Sequence, residues 1–576
     1  MKKLYNNIIY HLLLICIIIT SCKNETQDNL ILESKLTIQS ISLENDEDPI
    51  SINDLKENSN NINKSAALVK NSITNEDLNL EQSTMVYSTE FDALVDINEN
   101  NLFSSNKNSN TSKLNKNYKI AIDQPIGNDI KFRLIIYKQS NLTKPIYNSV
   151  LSKGNQPNIS LIPGISYKWF AYSINETTVP NINSDGTIEK SDIANKDFMF
   201  ASNTLTPSIG ENYLQIIFKR QVSRLEVTLN TRGIFGPMRD NSNISIGRGT
   251  GTSFTNLIQT GDFNIQTGLF TDIEEITSGI SASEMTIVDS RWANAEKKAI
   301  FYSVENSNRT ISANNLRVRI NALSITLDDA TIRTFNNNTL VPINHASSLE
   351  ISKGKIAKIN VRLIENGILV NGLYWARTNL IYDASKLYGG SYTSTTSDAY
   401  RFRPNNNYVT PSNNEYWNQG STTPTGTDYN SVDICTRVYP QSTWRKPTGV
   451  EFDNLIAQNS VIKTKYSLGN NTYQYILTWE RSATQNANSA FPDNNLNLPF
   501  FGYRNTSGTI VQRPNGANDA TGQLRYASRN YVSGTGDAHV LTANVTNGAF
   551  SGNLTNTTLA NTNGLSIRCV RNTINN

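Results

Sequence analysis

The chain has 576 residues, which is enough for about three or four domains at roughly 150 residues each. Hydrophobic residues account for 38% and charged residues for 18%, and both values lie below those of an average globular protein. The formal net charge of +3 excludes a strong electrostatic attraction to nucleic acid, so we expect no nucleic-acid partner.

The chain opens with two lysines and an apolar run over residues 8–19. The run is short for a bilayer span, which needs about 20 apolar residues, but it is typical of a secretory signal. The letters ITSC that end the run resemble the bacterial lipoprotein signal. The resemblance implies a signal peptide over residues 1–21 and attachment of acyl chains such as palmitate to Cys22. The alternative is an ordinary signal peptide with an incidental cysteine.

The letters CKNE, which begin at Cys22, weakly resemble the surface-export signals of Bacteroidetes lipoproteins. We therefore expect a protein anchored by lipid in the outer membrane and displayed on the cell surface. Residues 22–84 combine few aromatic residues with mixed charge and much Asn, a composition that cannot bury enough surface to fold. This segment is predicted to be a disordered tether.

Two cysteines, Cys435 and Cys569, remain once the signal peptide and Cys22 are set aside. In an oxidising compartment, two such thiols predict one disulfide. The alternative is a pair of buried, separate thiols.

Alternating apolar and polar residues begin near residue 85 and predict β-strands. The segments IKFRLIIYK, SRLEVTLN, LRVRINAL and KINVRLI show the pattern. The positions expected to face a core are Phe132, Leu134, Ile136, Leu225, Val227, Leu229, Leu316, Val318, Ile320, Ile359, Val361 and Leu363. Clusters of turn-forming residues separate the strands, which favours β-sandwiches over α/β units.

The segments GISYKWFAYSINETTVPNI and DIANKDFMFASNTL resemble the first half of the fimbrillin family of Bacteroidetes, and LQIIFKRQVSRLEVTLN resembles the strand pair that follows there. The resemblance covers about residues 85–365. It implies two transthyretin-like β-sandwich domains, at residues 85–215 and 216–368, in a lipid-anchored surface protein. Fimbrial members of the family polymerise by donor-strand exchange, a form of β-augmentation, so other surface subunits are expected partners.

After residue 369 the composition shifts towards Tyr, Asn, Ser, Thr and Gly. The segments GLYWARTNL, YWNQG, DICTRVYPQSTWRKPTGVEFDNL, LPFFGYRNTSG and GLSIRCVRN resemble, in this order, the Fibrobacter succinogenes major paralogous domain. That domain is similar to formylglycine-generating enzymes and C-type lectins, which implies an α+β C-type-lectin-like domain at residues 369–576. The predicted fold class is therefore mainly β, with two transthyretin-like β-sandwich domains followed by this α+β domain.

The stretch STWRKPTGVEF, residues 442–452, predicts a corner of the fold rather than a ligand site. Thr448 and Glu451 have the spacing of a capping box, and Pro447 and Phe452 suit a hydrophobic staple around it. We expect Trp444 to cover the helix start. The motif as a whole comprises Trp444, Arg445, Pro447, Thr448 and Glu451, with Arg445 expected to bind backbone carbonyls or a carboxylate.

The sequence gives little support for a catalytic function. His345 and His539 lie outside any His/Cys/Asp cluster with metal-ligand spacing, and nothing marks a serine partner for His539. GRGTGT at 247–252 lacks a strand-to-helix setting for phosphate binding.

DYNSVD offers oxygens for calcium at Asp428, Asn430 and Asp433 but lacks the full spacing of a calcium loop. The reactive cysteine pair of formylglycine-generating enzymes is not carried over, because the cysteines here lie where that family has a structural bridge. We predict no enzyme, no cofactor and no metal.

Two functional classes remain. The first is a non-catalytic structural or adhesion protein that is held to the membrane by lipid and is related to fimbriae. The second is a carbohydrate-binding surface lipoprotein whose C-terminal domain contacts glycans. Its candidate ligand-facing aromatics are Trp375, Tyr416 and Trp417, with Tyr388 and Tyr400 as further members of the same aromatic-rich region. The competing explanation is that these rings fill a core.

Overall fold

The computed structural model describes residues 34–44, 83–98, 124–155, 157–345, 348–388, 391–392, 397–404, 413–425, 432–458, 460–469, 472–488, 490–491, 494–513, 521–531, 538–559 and 563–572. The predicted signal peptide, Cys22, Asp428 and Asn430 lie outside these residues, as does most of the predicted tether.

Strands dominate the described residues. As far as residue 220 they are β1 Ser34–Leu43, β2 Thr84–Val86, β3 Asp92–Asn98, β4 Gln124–Pro125, β5 Lys131–Lys138, β6 Asn141–Ser152, β7 Ile159–Leu161, β8 Tyr167–Ser173, β9 Thr187–Ile188, β10 Met199–Leu205 and β11 Gly210–Arg220. From there to residue 370 they are β12 Val222–Gly233, β13 Asn243–Arg248, β14 Thr255–Asn256, β15 Gln259–Asn264, β16 Leu269–Glu275, β17 Ile280–Ser281, β18 Thr286–Ile287, β19 Glu296–Val304, β20 Arg309–Ile311, β21 Leu316–Ala322, β22 Ser324–Thr326, β23 Ile332–Thr334, β24 Thr339–Ile343, β25 Leu349–Ile351, β26 Ile356–Ile364 and β27 Ile368–Val370.

The remaining strands are β28 Leu373–Trp375, β29 Leu380–Tyr382, β30 Tyr400–Phe402, β31 Trp444–Arg445, β32 Ile462–Gly469, β33 Thr472–Trp479, β34 Leu496–Pro499, β35 Tyr503–Arg504, β36 Ile510–Val511, β37 Gly522–Tyr531, β38 Ala538–Thr546, β39 Ala549–Leu559 and β40 Val570–Arg571. The α-helices are α1 Lys190–Ile193 and α2 Gly449–Ile456. Short 3-10 turns lie at Ala293–Ala295, Ala384–Lys386, Asn413–Glu415 and Ile434–Arg437.

The described residues fall into two compact units. The first comprises residues 34–44, 124–188 and 198–220, and the second comprises residues 83–98, 189–197 and 221–572. These groupings differ from the predicted domains. The predicted boundary at 215/216 falls inside β11, and the C-terminal region shares a unit with the sheets before it.

The first unit is built on a sheet with the order β4-β1-β11-β10-β8-β5-β6, with β7 also paired to β1. Strand β1 runs parallel to β11 and buries Leu36, Ile38 and Ile41 in the core of the unit. The register of β1 shifts between Ile38 and Ser40, which breaks the strict alternation of its buried positions. The tether predicted over 22–84 is therefore wrong at Ser34–Leu43, because this strand completes a core.

The second unit contains a sheet with the order β18-β19-β12-β26-β3-β2 and a sheet with the order β14-β13-β21-β24, in which β17 also pairs with β13. The two sheets contribute to one hydrophobic core. The core positions predicted in SRLEVTLN, LRVRINAL and KINVRLI are all buried there, and those predicted in IKFRLIIYK are buried in the first unit. The mainly β fold class is confirmed.

The C-terminal part of the second unit consists of small sheets around α2: β27-β28-β40-β31, β29-β30, β32-β33-β34, β35-β36 and β37-β38-β39. One of its hydrophobic clusters also contains Leu94, Phe235 and Ile364 from the preceding sheets. The C-terminal region and these sheets thus share a continuous core.

Candidate functional site

The corner at residues 442–452 is held by the capping box that the sequence predicts. The Thr448 hydroxyl accepts a hydrogen bond from the Glu451 amide at 3.2 Å, and the Glu451 carboxylate accepts one from the Thr448 amide at 2.7 Å. Arg445 donates to both oxygens of Glu451, with Nη1 to Oε2 at 2.8 Å. The Glu451 carboxylate therefore caps α2 and also binds Arg445 of the preceding strand, β31.

Trp444 does not cover the helix start as expected. Its ring lies 4.9 Å from the ring of Phe402 and 4.0 Å from the guanidinium of Arg571. The ring of Trp375 instead stacks on Phe452 of α2, with the ring centres 6.1 Å apart. The reason is that Trp444 lies in β31, which pairs with the last strand, β40.

Cys435 and Cys569 form a disulfide with a sequence separation of 134 residues. Cys435 lies in a 3-10 turn, and Cys569 directly precedes β40. Asp433 caps this turn by accepting from the Cys435 amide at 3.1 Å, and it also accepts from the Lys446 amide at 2.8 Å. The Asp433 carboxylate, one of the candidate calcium ligands, therefore bonds to backbone amides.

The predicted ligand-facing aromatics are core residues. Trp375, Tyr416 and Trp417 are at most 1% exposed, and the hydroxyl of Tyr416 donates to the carbonyl of Phe501 at 2.6 Å. A ring with both faces buried cannot stack on a sugar, so the assignment of these three residues as ligand-facing is wrong. Tyr400 is also buried, and among the five aromatics only Tyr388 lines a cleft.

A buried ion pair joins the C-terminal region to the preceding sheets, and a second lies within those sheets. Arg571 of β40 donates to the carboxylate of Asp92 at the start of β3 and, at 2.8 Å, to the carbonyl of Glu365. Arg333 of β23 donates to both carboxylate oxygens of Glu365, one of them at 2.8 Å. Burial raises the pKa of Asp92 to about 6 although Arg571 acts in the opposite direction.

The second unit contains a cleft of about 170 Å³. It lies where the turn after β12 and the 3-10 turn at 293–295 meet the segment around β30 of the C-terminal region. We call it the junction cleft. Its lining residues are Arg232, Phe235, Gly236, Pro237, Arg291, Trp292, Ala293, Ala295, Asp328, Lys386, Tyr388, Asp398 and Arg401.

Arg232 is the most constrained cation of the junction cleft. Its guanidinium lies 3.4 Å from the ring centre of Trp292 and 3.8 Å from that of Tyr439. It donates to the carboxylate of Asp398 through Nε at 3.1 Å and Nη2 at 2.9 Å. Burial on its own lowers the pKa of Arg232, but Asp398, Tyr439 and Glu296 together outweigh it and the pKa is raised. This side chain is therefore a fixed cation.

A second ion cluster also lines the junction cleft. The Nε of Arg401 lies 2.6 Å from an Asp328 oxygen, and its Nη2 donates to the carbonyl of Phe235 at 2.7 Å. Lys386 is 3.6 Å from Asp328 and its side chain is 32% exposed. The Lys386 ammonium is therefore the more loosely held of the two cations.

The apolar wall of the junction cleft is aromatic. The rings of Trp292 and Tyr388 meet nearly at right angles, with their centres 4.8 Å apart. Burial raises the pKa of Tyr388, and the nearby Asp398 adds to the effect. Two non-glycine residues beside this wall, Phe235 and Ala293, have left-handed backbones with φ of 66° and 47°. Such conformations cost roughly 1–3 kcal/mol and cluster at functional sites.

Sequence reasoning missed this cleft almost entirely. The partners Arg232 and Asp398 are 166 residues apart, so no local motif joins them. The available signals were the turn TRGIFGP and the single Trp292 among polar residues.

Other sequence candidates lie elsewhere. GRGTGT forms the end of β13 and the turn to β14. His345 follows β24, and His539 lies in β38. Among the described residues, no group of three or more His, Cys, Asp or Glu side chains is placed to hold a metal ion. The helices of that same part of the chain include none long and apolar enough to cross a membrane.

Residues 163–372 match the sequence model of the fimbrillin-like family. No curated protein matches the chain.

Among solved structures, the chain is similar to a candidate cell adhesion protein from Bacteroides fragilis, with 12% identity over 50% of this chain and 97% of that one and a TM-score of 0.28. A fimbrial assembly protein from Parabacteroides distasonis shares 12% identity over 40% and 82% of the two chains, with a TM-score of 0.20. The fimbrial anchor protein Mfa2 from Porphyromonas gingivalis shares 14% over 34% and 72%, also with a TM-score of 0.20.

Proposed function

We propose that this protein is a non-catalytic adhesion protein of the bacterial surface, anchored by lipid and related to fimbriae. The observation that carries the proposal is the match of residues 163–372 to the fimbrillin-like family. The leader that ends at Cys22 and the disulfide between Cys435 and Cys569 both agree with export to an oxidising compartment.

Lipid at Cys22 would hold the first unit close to the membrane. Strand β1 begins at Ser34, twelve residues after Cys22. A fully extended chain spans at most about 3.5 Å per residue, so β1 would start within about 42 Å of the anchor. Residues 45–82, which are part of the tether predicted over 22–84, follow β1 in the chain and connect it to β2.

Metabolic labelling with a palmitate analogue tests the anchor. We expect label on the mature wild-type protein and none on Cys22→Ser, whereas Cys16→Ser, which changes a cysteine inside the predicted signal peptide, keeps the label. An unlabelled wild-type protein, or equal labelling of the Cys22→Ser variant, contradicts the anchor.

Assembly into larger structures is the fimbria-related part of the proposal. Strand β6 ends the sheet of the first unit as described, and Ile146 and Val150 on it are exposed. An uncovered edge strand is a template for pairing with another chain. SDS-resistant ladders from purified protein are the expected result, and a single monomer band at every temperature contradicts assembly.

Carbohydrate binding is a second candidate function, and the junction cleft favours it because aromatic and charged side chains converge there. A glycan array is the test, and it requires the whole mature chain. Residues 370–576 alone would lose Leu94, Phe235 and Ile364 from their shared core. The C-type-lectin-like fold of this region also remains a proposal.

A further inference from the structure

We infer that the junction cleft binds an acidic sugar unit, such as a uronic acid residue of a polysaccharide, through its carboxylate. The inference rests on the adhesive function proposed above and names the ligand class for it. Size, charge, an apolar wall and rigidity each support this ligand class.

The cleft, with a volume of about 170 Å³, has room for a small ligand such as one sugar ring.

The charge of the lining favours an anion. Four basic side chains, Arg232, Arg291, Lys386 and Arg401, line the cleft with two acidic ones, Asp328 and Asp398. Arg291 is also paired with Asp289 at 2.6 Å, so one positive charge remains in excess among these groups. Lys386 is the cation best placed to bind a ligand, because its side chain is partly exposed and lies as far as 3.6 Å from its partner Asp328. A carboxylate between Lys386 and Arg401 would form charge-assisted hydrogen bonds.

The aromatic wall distinguishes a sugar acid from an inorganic anion. Trp292 and Tyr388 form a corner of two perpendicular rings, and Pro237 and Ala293 also line the cleft. Such a surface suits the C–H face of a pyranose, whereas phosphate or sulfate offers nothing apolar to contact it.

The cleft is also preorganised. The Arg232 guanidinium is enclosed by two rings and fixed by Asp398, and Arg401 is fixed by Asp328 and the Phe235 carbonyl. Side chains that are already ordered lose little entropy when a ligand binds.

The test measures binding of trigalacturonate, a hyaluronan tetrasaccharide and sialyllactose to the full mature chain by calorimetry, each beside its neutral methyl ester. We expect at least one acid to bind with a dissociation constant in the millimolar range or tighter, and its ester to bind at least about tenfold more weakly. Lys386→Gln should weaken acid binding by a similar factor. Tyr388→Ala should weaken the binding of both acid and ester.

Lys355→Gln is the matched control. Lys355 is exposed and directly precedes β26, whose other end, at Ile364, pairs with Gly233 near the cleft. Lys355 and Ile364 are nine residues apart along this strand, or about 30 Å at roughly 3.3 Å per residue, so Lys355→Gln should bind the acid as the wild type does.

Four results overturn the inference: no acid binds, ester and acid bind equally, hexaglutamate binds as tightly as the best sugar acid, or Lys386→Gln binds unchanged. None of these four results contradicts the proposed adhesive function. That function is measured separately, as attachment of cells that carry or lack the protein to host-derived surfaces.

Discussion

The carboxylate of Asp92 should make the stability of the second unit depend on pH in an unusual direction. It is fully buried, and its pKa is raised to about 6 from an ordinary value of 3.8. Arg571, near the opposite end of the chain, donates a hydrogen bond to this carboxylate. The Asp92→Asn variant removes the titrating group and keeps the shape of the side chain.

The sign follows from linkage. The folded state holds the Asp92 proton more tightly than the unfolded state, so between pH 7 and pH 4 folding takes up a proton. Acidification therefore stabilises the folded state through this group, and the stabilisation is lost as the pH rises through about 6. With pKa values of 6 and 3.8, the gain between pH 7 and pH 4.5 is about 2 kcal/mol, and the limit at lower pH is about 3 kcal/mol.

Urea denaturation from pH 4.5 to 7.5, monitored by tryptophan fluorescence, measures this difference. The free energy of unfolding of the wild type relative to Asp92→Asn should rise by about 2 kcal/mol on acidification to pH 4.5. Asp96→Asn in the same strand controls for loss of a carboxylate. A difference that is independent of pH, or one that falls on acidification, refutes the reasoning and means that Arg571 dominates over burial.

Three further changes probe the C-terminal region. Replacing both Cys435 and Cys569 by Ser should cost about 5 kcal/mol in urea denaturation, because the bridge closes a loop of 134 residues; a loss under 1 kcal/mol would show that the unbridged chain is already constrained. Thr448→Ala should lower the free energy of unfolding by about 1 kcal/mol, while Thr448→Ser restores most of it, and equal stability of all three proteins argues against the cap. Trp444→Ala should cost about 3–5 kcal/mol, since it empties a site between Phe402 and Arg571, and an unchanged melting temperature contradicts its place in the core.

Local patterns predicted much of the fold. Alternation identified the buried faces of β12, β21 and β26, because each of these strands has one face against a core. Thr448 and Glu451 are three residues apart, so the capping box was visible in the sequence. Strand β1 was missed because its buried positions Leu36, Ile38 and Ile41 change parity at the register shift and lie in an Asn-rich and charged context.

Local sequence patterns could not predict the junction cleft. The sequence around Arg232 is typical of a solvent-exposed strand residue. In the structure, Asp398, Trp292 and Tyr439, which lie in distant segments of the chain, surround its guanidinium. The same holds for Asp92, whose partner Arg571 is 479 residues away. The aromatic residues predicted to face a ligand were chosen because they lie in an aromatic-rich region. Composition alone does not distinguish aromatic residues that fill a loop-rich core from those that form a binding face.

Protease shaving of intact cells tests most directly whether the folded units stand outside the cell. For the wild type, protease added to the medium should remove the protein while a periplasmic marker survives. The Cys22→Ser variant should be absent from washed cells or protected inside them. A wild-type protein that resists protease until the outer membrane is opened would contradict an adhesive role at the cell surface.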